Sequence, residues 1–227
     1  MCDRKQVRTV VLDMDDTLYP EREYAISGFK AAGEWLSEQR GIPGYAEHCI
    51  RLFEAGHRGR IFDEALLATG LPADSTLVAE LVAAYRDHMP RLTLHADAKA
   101  FLDWAKARFD LALLTDGYAQ VQRNKIQALG LERWISCIVV TDEMGRGFWK
   151  PHPAGFERIM ATYPGAAAGF LYVGDNPGKD FHAPRHLGWQ TARVARPGQE
   201  YGTLQAGCLE ADCVIANFDE LRELLQS

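Results

Sequence analysis

The sequence predicts an α/β fold: a doubly wound, Rossmann-like parallel sheet that forms the core and carries an inserted α-helical cap domain. Short apolar runs that end on polar residues alternate with helical segments in the second half of the chain. Such runs are typical of strands buried on both faces of a parallel sheet. About ninety residues with helical periodicity separate the first run from the second, too many for a simple crossover. An inserted helical domain is therefore expected.

Six strands are predicted, and four of them lead to groups that can do chemistry. The runs at 10–12, 111–114 and 170–174 lead into Asp13, Thr115 and Asp175, and the run at 137–140 leads through a loop to Lys150. Two further strands are expected at 190–194 and 213–216. The helices between them are predicted at 98–108, 120–129, 154–163, 178–186 and 219–225, with Gly130 ending the second of these.

The predicted core domain comprises residues 1–18 and 95–227, and the cap comprises residues 19–94. Helices of the cap are expected at 24–39, 45–55, 61–68 and 75–88, because Gly-containing or Pro-containing segments at 41–44, 56–59 and 70–72 interrupt the helical pattern.

The most informative residues are Asp13 and Asp15, which follow the first apolar run. Alternation along an extended chain places both carboxylates on the same side of the strand end, where a nucleophile and a proton donor could flank one substrate atom. Residues 10–18 taken alone are equally compatible with a turn or helix cap at these aspartates. Ligands of parallel sheets bind beyond the carboxyl ends of the strands. Asp13, Thr115, Lys150 and Asp175 are therefore expected to converge at one edge, which favours an active site.

Composition narrows the possible functions. The chain has 227 residues, 47% of them hydrophobic, and a formal net charge of −6. This acidity argues against a nucleic-acid surface. The five cysteines are odd in number and form no Cys-x-x-Cys motif, so neither a disulfide framework nor a structural zinc site is indicated, and a reducing cytoplasm is expected. No stretch approaches the roughly 20 apolar residues that span a bilayer, so no membrane partner is expected.

These motifs identify a family resemblance. Asp13-x-Asp15-x-Thr17, Thr115, Lys150-Pro151 and Gly174-Asp175-x-x-x-x-Asp180 resemble, in order, the motifs of the haloacid dehalogenase superfamily. The match spans residues 10 to 180, and the helical insertion resembles the cap that the family places after its first motif. Dehalogenating members lack the second carboxylate because a halide needs no proton on leaving. Asp15 therefore favours the phosphatase branch.

The resemblance implies a role for each motif residue. Mg²⁺ would be held by Asp13, the backbone carbonyl of Asp15 and Asp175, which suits the preference of this ion for oxygen ligands. Thr115 and the backbone at Asp116 would bind phosphate oxygens. Lys150 would neutralise charge beside the nucleophile. Support for Lys150 or the metal is expected from Asn176 and Asp180.

The expected activity is a Mg²⁺-dependent phosphatase reaction on a small phosphate ester, a nucleotide monophosphate or a sugar phosphate. Asp13 would form an aspartyl-phosphate, and Asp15 would serve as acid and then as base. A phosphomutase would share every motif, and a non-catalytic binding protein is a further alternative on the same fold. The oligomeric state is not predicted.

Two substrate contacts are proposed outside the motifs. Tyr19 lies in a sequence similar to the pyrimidine 5′-nucleotidase branch, where an aromatic residue lies near the substrate; a hinge residue is the alternative. Arg58 belongs to segment 51–60, in which three arginines and a histidine lie among glycines. Such a loop could bind an anionic substrate, but a solvated helix connection is at least equally compatible.

Overall fold

The computed structural model describes residues 6–199 and 201–226. Contacts divide the chain into two compact units, an α/β unit of residues 1–20 and 93–227 and a helical unit of residues 21–92. The predicted fold class, a parallel α/β sheet with an inserted helical segment, is confirmed. In the part of the chain that the structure describes, no helix has the length and apolar character needed to cross a membrane.

The sheet of the α/β unit explains why the motif residues lie at one edge. Its strands are β1 (Thr9–Leu12), β2 (Asp110–Thr115), β3 (Cys137–Val140), β4 (Phe170–Gly174), β5 (Gln190–Val194) and β6 (Cys213–Ile215). The order is β3-β2-β1-β4-β5-β6, and every pairing is parallel. The central strand β1 is completely buried, and Leu12 pairs with Leu113 on one side and Val173 on the other. The strand order reverses beside β1, where a parallel sheet typically binds its ligand.

The helical unit is built from four helices: α1 (Glu21–Arg40), α2 (Tyr45–Glu54), α3 (Ile61–Ala68) and α4 (Ser75–Asp87). Their apolar faces enclose a core of their own that includes Phe29, Leu36 and Leu81. Gly28 permits close packing of α1 on α4, because a Cβ atom there would lie 2.4 Å from the ring of Tyr85. The unit therefore has a hydrophobic centre separate from that of the sheet.

Among the described residues of the α/β unit, the α-helices are α5 (Ala96–Ala105), α6 (Ala119–Leu129), α7 (Ala154–Thr162), α8 (His182–His186) and α9 (Phe218–Gln226). Gly130 ends α6 in a left-handed conformation with φ of 61°, as predicted.

The prediction of a helix over 178–186 was wrong at its start, because α8 begins only at His182. The segment before it forms a turn around Asn176, whose side-chain Oδ1 accepts the backbone N–H of Gly178 at 2.9 Å. The backbone carbonyl of Asn176 accepts the N–H of Asp180 at 3.0 Å. An asparagine that binds nearby backbone in this way offers the chain an alternative to helix. The turn brings Asp180 back toward β4.

Candidate active site

The turn after β1 delivers two carboxylates to the edge of the sheet. The backbone N–H of Asp13 donates to the carbonyl of Val173 at 2.8 Å, so this residue continues the ladder between β1 and β4. The chain then turns, and the N–H of Leu18 donates to the carbonyl of Met14 at 2.9 Å. Asp16 takes the left-handed conformation within this turn, with φ of 53°, which aspartate tolerates better than most residues. Asp13 is thereby fixed at the most interior position of the edge.

Lys150 connects the ends of three segments in a buried network. Its Nζ lies 2.7 Å from Oδ1 of Asp13 and 2.8 Å from Oδ1 of Asp180, and it donates to the hydroxyl of Tyr172 at 2.9 Å. The side chains of Lys150 and Asp180 are completely buried, and that of Asp13 is 3% exposed. Ion pairs removed from water in this way are held by their hydrogen bonds and mutual charge. Nothing in the sequence pattern of β4 indicated that Tyr172 would reach this lysine.

Gly174 makes room for this arrangement. A Cβ atom at this position would lie 2.5 Å from Oδ2 of Asp180. The same oxygen accepts the backbone N–H of Asn176 at 2.9 Å. The glycine is therefore required by the close approach of Asp180 to the end of β4.

Burial and like charge shift the pKa values of the acidic groups upward. Burial raises the pKa of Asp13 to about 6, against the effect of Lys150 and together with that of Asp180. Burial also raises the pKa of Asp175 to about 9, and the carboxylates of Asp13 and Asp180 add to the shift. Burial alone would lower the pKa of Lys150, but Asp13 and Asp180 hold it well above its ordinary value. The cluster has more negative charge than its lysine balances, so a further cation would stabilise it.

The same cluster has the composition of a site for a hard divalent ion. Carboxylate oxygens of Asp13, Asp175 and Asp180 lie within 4.8 Å of one another, and all three residues are buried. Oδ2 of Asp13 is buried and has no hydrogen-bond partner among the described residues. Both oxygens of Asp180, in contrast, already accept hydrogen bonds. The donor set therefore fits Mg²⁺, with Asp13 and Asp175 offering the more available oxygens.

Thr115 and Asp116 end the neighbouring strand β2. The hydroxyl of Thr115 is buried and, within the described ranges, makes no hydrogen bond. Oδ1 of Asp116 accepts the hydroxyl of Thr141 at 2.6 Å and the backbone N–H of Lys150 at 3.1 Å. The Asp116 side chain therefore anchors the Lys150 segment. The predicted roles of both residues in phosphate binding stay predictions.

A second lysine, which the sequence analysis did not select, lies in the turn before α8. Nζ of Lys179 is 3.9 Å from Oδ2 of Asp116, and the side chain of Lys179 is 34% exposed. Burial and the charge of Lys150 would lower the pKa of Lys179, but Asp13, Asp180 and Asp116 raise it above its ordinary value. Lys179 therefore adds positive charge beside the acidic cluster.

Asp15 has surroundings that differ from those of Asp13. Its Oδ1 accepts hydrogen bonds from Nζ of Lys125 at 2.7 Å and from the hydroxyl of Tyr19, and its Oδ2 accepts one from Nε2 of Gln122 at 2.9 Å. Burial would raise the pKa of Asp15, but the charge of Lys125 and these three hydrogen bonds lower it. Lys125 and Gln122 were missed because periodicity alone does not distinguish buried from exposed polar positions on a helix. Their spacing of three, on one face of α6, was the available signal.

The remaining predicted site residues have partners inside their own units. Tyr19 is completely buried. The guanidinium of Arg58 donates to the carbonyls of Phe53 at 3.0 Å and His57 at 2.7 Å, and lies over the ring of Phe53. Asn176 shapes the turn before α8 and donates its N–H to Asp180, as described above. Substrate contacts by Tyr19 and Arg58 stay predictions.

Known proteins resemble this chain in sequence and in fold. The haloacid dehalogenase-like hydrolase family matches residues 7–188. The chain is 28% identical over 226 residues to phosphoserine phosphatase of Thermus thermophilus, with coverage of 84% of this chain and 89% of the relative. It is 29% identical over 204 residues to glyceraldehyde 3-phosphate phosphatase of Methanopyrus kandleri, with coverage of 84% of each chain.

Among solved structures, the magnesium-bound putative hydrolase YfnB from Bacillus subtilis superimposes with a TM-score of 0.69. Its sequence is 21% identical, and the alignment covers 97% of this chain and 99% of the other. That likeness supports the fold, and the family match supplies the hydrolase assignment. The chain belongs to the haloacid dehalogenase-like hydrolase family.

Proposed function

We propose that this hydrolase is a phosphatase that cleaves small phosphate monoesters through an aspartyl-phosphate on Asp13. The observation that carries the proposal is the difference between its two neighbouring carboxylates. Asp13 directs one oxygen at Lys150 and leaves the other without a hydrogen bond, whereas Asp15 has both oxygens engaged by donors. A nucleophile needs an oxygen that is available, and a proton-transfer group needs a fixed orientation.

The proposed reaction has two steps. In the first, Asp15, which is ionised in the resting site, takes a proton from solvent as the ester binds. An oxygen of Asp13 then bonds to phosphorus while the bond to the leaving oxygen breaks, and Asp15 passes the proton to that oxygen. In the second, water attacks phosphorus, its proton passes to Asp15, and the bond from Asp13 to phosphorus breaks to release inorganic phosphate. Asp15 then returns that proton to solvent. Lys150 neutralises charge on the nucleophile and phosphoryl group throughout, and Thr115 donates a hydrogen bond to a phosphoryl oxygen. The buried hydroxyl of Thr115, which has no hydrogen-bond partner among the described residues, supports this role.

We propose Mg²⁺ as the cofactor, held by Asp13 and Asp175 together with the backbone carbonyl of Asp15. When bound, this ion would offset the charge of the carboxylates and of a phosphate dianion, and so permit an anionic nucleophile to approach. A phosphoryl group carries about two negative charges near neutral pH.

A phosphate-release screen tests this proposal. The purified chain would be incubated with nucleotides, sugar phosphates, phosphoserine, glyceraldehyde 3-phosphate and p-nitrophenyl phosphate, with Mg²⁺ or with EDTA. Phosphoserine and glyceraldehyde 3-phosphate are included because two relatives of this chain are named as phosphatases of these compounds. We expect phosphate release that depends on Mg²⁺, disappears with EDTA and returns when Mg²⁺ is restored. No release from any ester would contradict the proposal, and isomerised sugar phosphate without phosphate release would indicate a phosphomutase.

Replacing Asp175 with asparagine should raise the Mg²⁺ concentration needed for half-maximal activity by about tenfold or more, because metal affinity depends strongly on ligand charge. The measurement is a Mg²⁺ titration of kcat. Asp219→Asn, at an exposed position in α9, is the matched control and should leave the titration unchanged. An Asp175→Asn protein with an unaltered Mg²⁺ requirement would remove Asp175 from the proposed ligand set.

A further inference from the structure

Asp15 is held by two residues of α6 that none of the sequence motifs includes. Lys125 and Gln122 are three positions apart and donate to different oxygens of the carboxylate, at 2.7 Å and 2.9 Å. Two donors on two oxygens define both the position and the plane of a carboxylate. The hydroxyl of Tyr19, in the turn that follows Asp15, is a third donor.

Both α6 residues are buried where a polar side chain is costly. Lys125 is 3% exposed and Gln122 is 2% exposed. Burial of an ammonium group carries a large desolvation cost, and ordering a long side chain adds an entropic one. A well-packed apolar residue could fill this part of the helix at a lower cost in folding free energy, so stability alone gives no reason for a lysine there.

Helix α6, which carries Gln122 and Lys125, is itself anchored close to the end of β2. Nε2 of Gln122 also donates to the backbone carbonyl of Asp116, which follows Thr115. The first turn of α6 is capped from the turn that follows β3, since the N–H of Ala119 donates to Oδ2 of Asp142 at 2.9 Å. The helix therefore holds the Asp15 carboxylate in a fixed relation to the loop that ends β2.

We propose that Lys125 and Gln122 are positioning residues that hold the Asp15 carboxylate in the orientation for proton transfer to the leaving oxygen. The inference rests on the proposed phosphatase reaction. In this role the two α6 residues contribute to catalysis through Asp15, and neither of them has to contact the substrate.

Leaving-group chemistry separates this role from a structural one. An alkyl phosphate releases a strongly basic alkoxide and needs a proton, whereas p-nitrophenolate can depart without one. In Lys125→Met, we expect kcat/KM for an alkyl phosphate to fall by about 10²-fold or more, and kcat/KM for p-nitrophenyl phosphate to stay within about threefold of wild type. Lys125→Arg retains a cationic donor and should recover part of the loss on the alkyl ester.

Two matched variants complete the test. Lys99→Met removes an exposed lysine of α5 that pairs with Asp103 at 2.8 Å, and it should change neither value. Gln122→Leu removes a hydrogen-bond donor without removing a charge, and it should show the same selective loss on the alkyl phosphate. This variant tests the proposal even if Lys125→Met fails to fold. In an Asp15→Asn background, Lys125→Met should cause no additional loss, since a positioning residue has nothing left to position.

The outcomes separate the two proposals. Equal losses on both esters in Lys125→Met and in Gln122→Leu, or a further loss in the Asp15→Asn background, would overturn the positioning role and leave the phosphatase reaction intact. A wild-type chain that hydrolyses neither ester would overturn both.

Discussion

Asp13→Asn is expected to lower kcat for phosphate monoesters by about 10⁴-fold or more, because the amide is a poor nucleophile and loses the charge that pairs with Lys150. Steady-state phosphate release with a saturating alkyl phosphate and Mg²⁺ is the measurement. The amide is nearly the same size as the carboxylate, so the variant should fold, and its circular dichroism should match that of wild type.

A covalent intermediate gives this prediction a second readout. Wild-type protein quenched in acid during turnover should yield a peptide containing Asp13 with a phosphate adduct, and Asp13→Asn should yield none. Asp219→Asn, a change in an exposed carboxylate, should keep both the activity and the adduct. Near-normal turnover in Asp13→Asn, or an adduct on another residue, would show that Asp13 is not the nucleophile.

Lys150→Met is expected to reduce both activity and stability. The variant leaves Asp13 and Asp180 buried without the ammonium that lies 2.7 Å and 2.8 Å from their oxygens. Loss of one partner of a buried pair typically costs about 3–5 kcal/mol in the free energy of unfolding. Activity should fall by about 10²–10³-fold, the range seen when a preorganised charge-stabilising donor is removed. Thermal unfolding and phosphate release measure the two effects.

The stability deficit of Lys150→Met should depend on pH in a defined direction. Burial already raises the pKa of Asp13 to about 6 with the lysine in place, and removing the lysine raises it further. A carboxyl group with a higher pKa in the folded state than in the unfolded state favours folding at low pH and loses that contribution as pH rises. The difference from wild type should therefore be smaller near pH 5 than near pH 8. A difference that grows as pH falls would contradict this account.

Adding Asp180→Asn to Lys150→Met tests whether uncompensated negative charge causes the loss of stability. In the Lys150→Met background it removes one of the uncompensated carboxylates, so it should restore part of the stability without restoring activity. Recovery of activity would mean that Lys150 acts only by balancing Asp180.

Sequence reasoning worked where a pattern has one physical explanation. The apolar runs before Asp13, Thr115 and Asp175 had to be strands of one parallel sheet, and the chain then brings their ends to a shared edge. Lys150 is separated from the end of β3 by a loop. Its position at the same edge could be predicted only from the order in which the motifs follow one another along the chain. The roles of these residues stay predictions, although the geometry that those roles require is present.

Sequence reasoning failed where the outcome depended on tertiary contacts. A tyrosine in an apolar strand is normally expected to pack in the hydrophobic core. Only the fold shows that the hydroxyl of Tyr172 accepts a hydrogen bond from Lys150. Helical periodicity does not distinguish Lys125 from a solvated lysine, although its side chain is buried and Lys125 is only 3% exposed. The segment 178–181 was predicted as helix, because the local hydrogen bond from the side chain of Asn176 to Gly178 does not alter the hydrophobic pattern.

The position of Asp13 directly after the central strand β1 affects how often its backbone is expected to open to solvent. Strand β1 is bonded on both sides, to β2 and to β4, so its amides can exchange with solvent only when the sheet itself separates. The proposed nucleophile is thus mounted on the segment with the slowest expected hydrogen exchange in the α/β unit. The backbone on which the proposed nucleophile is carried is therefore expected to open less often than the turns beyond the strand ends.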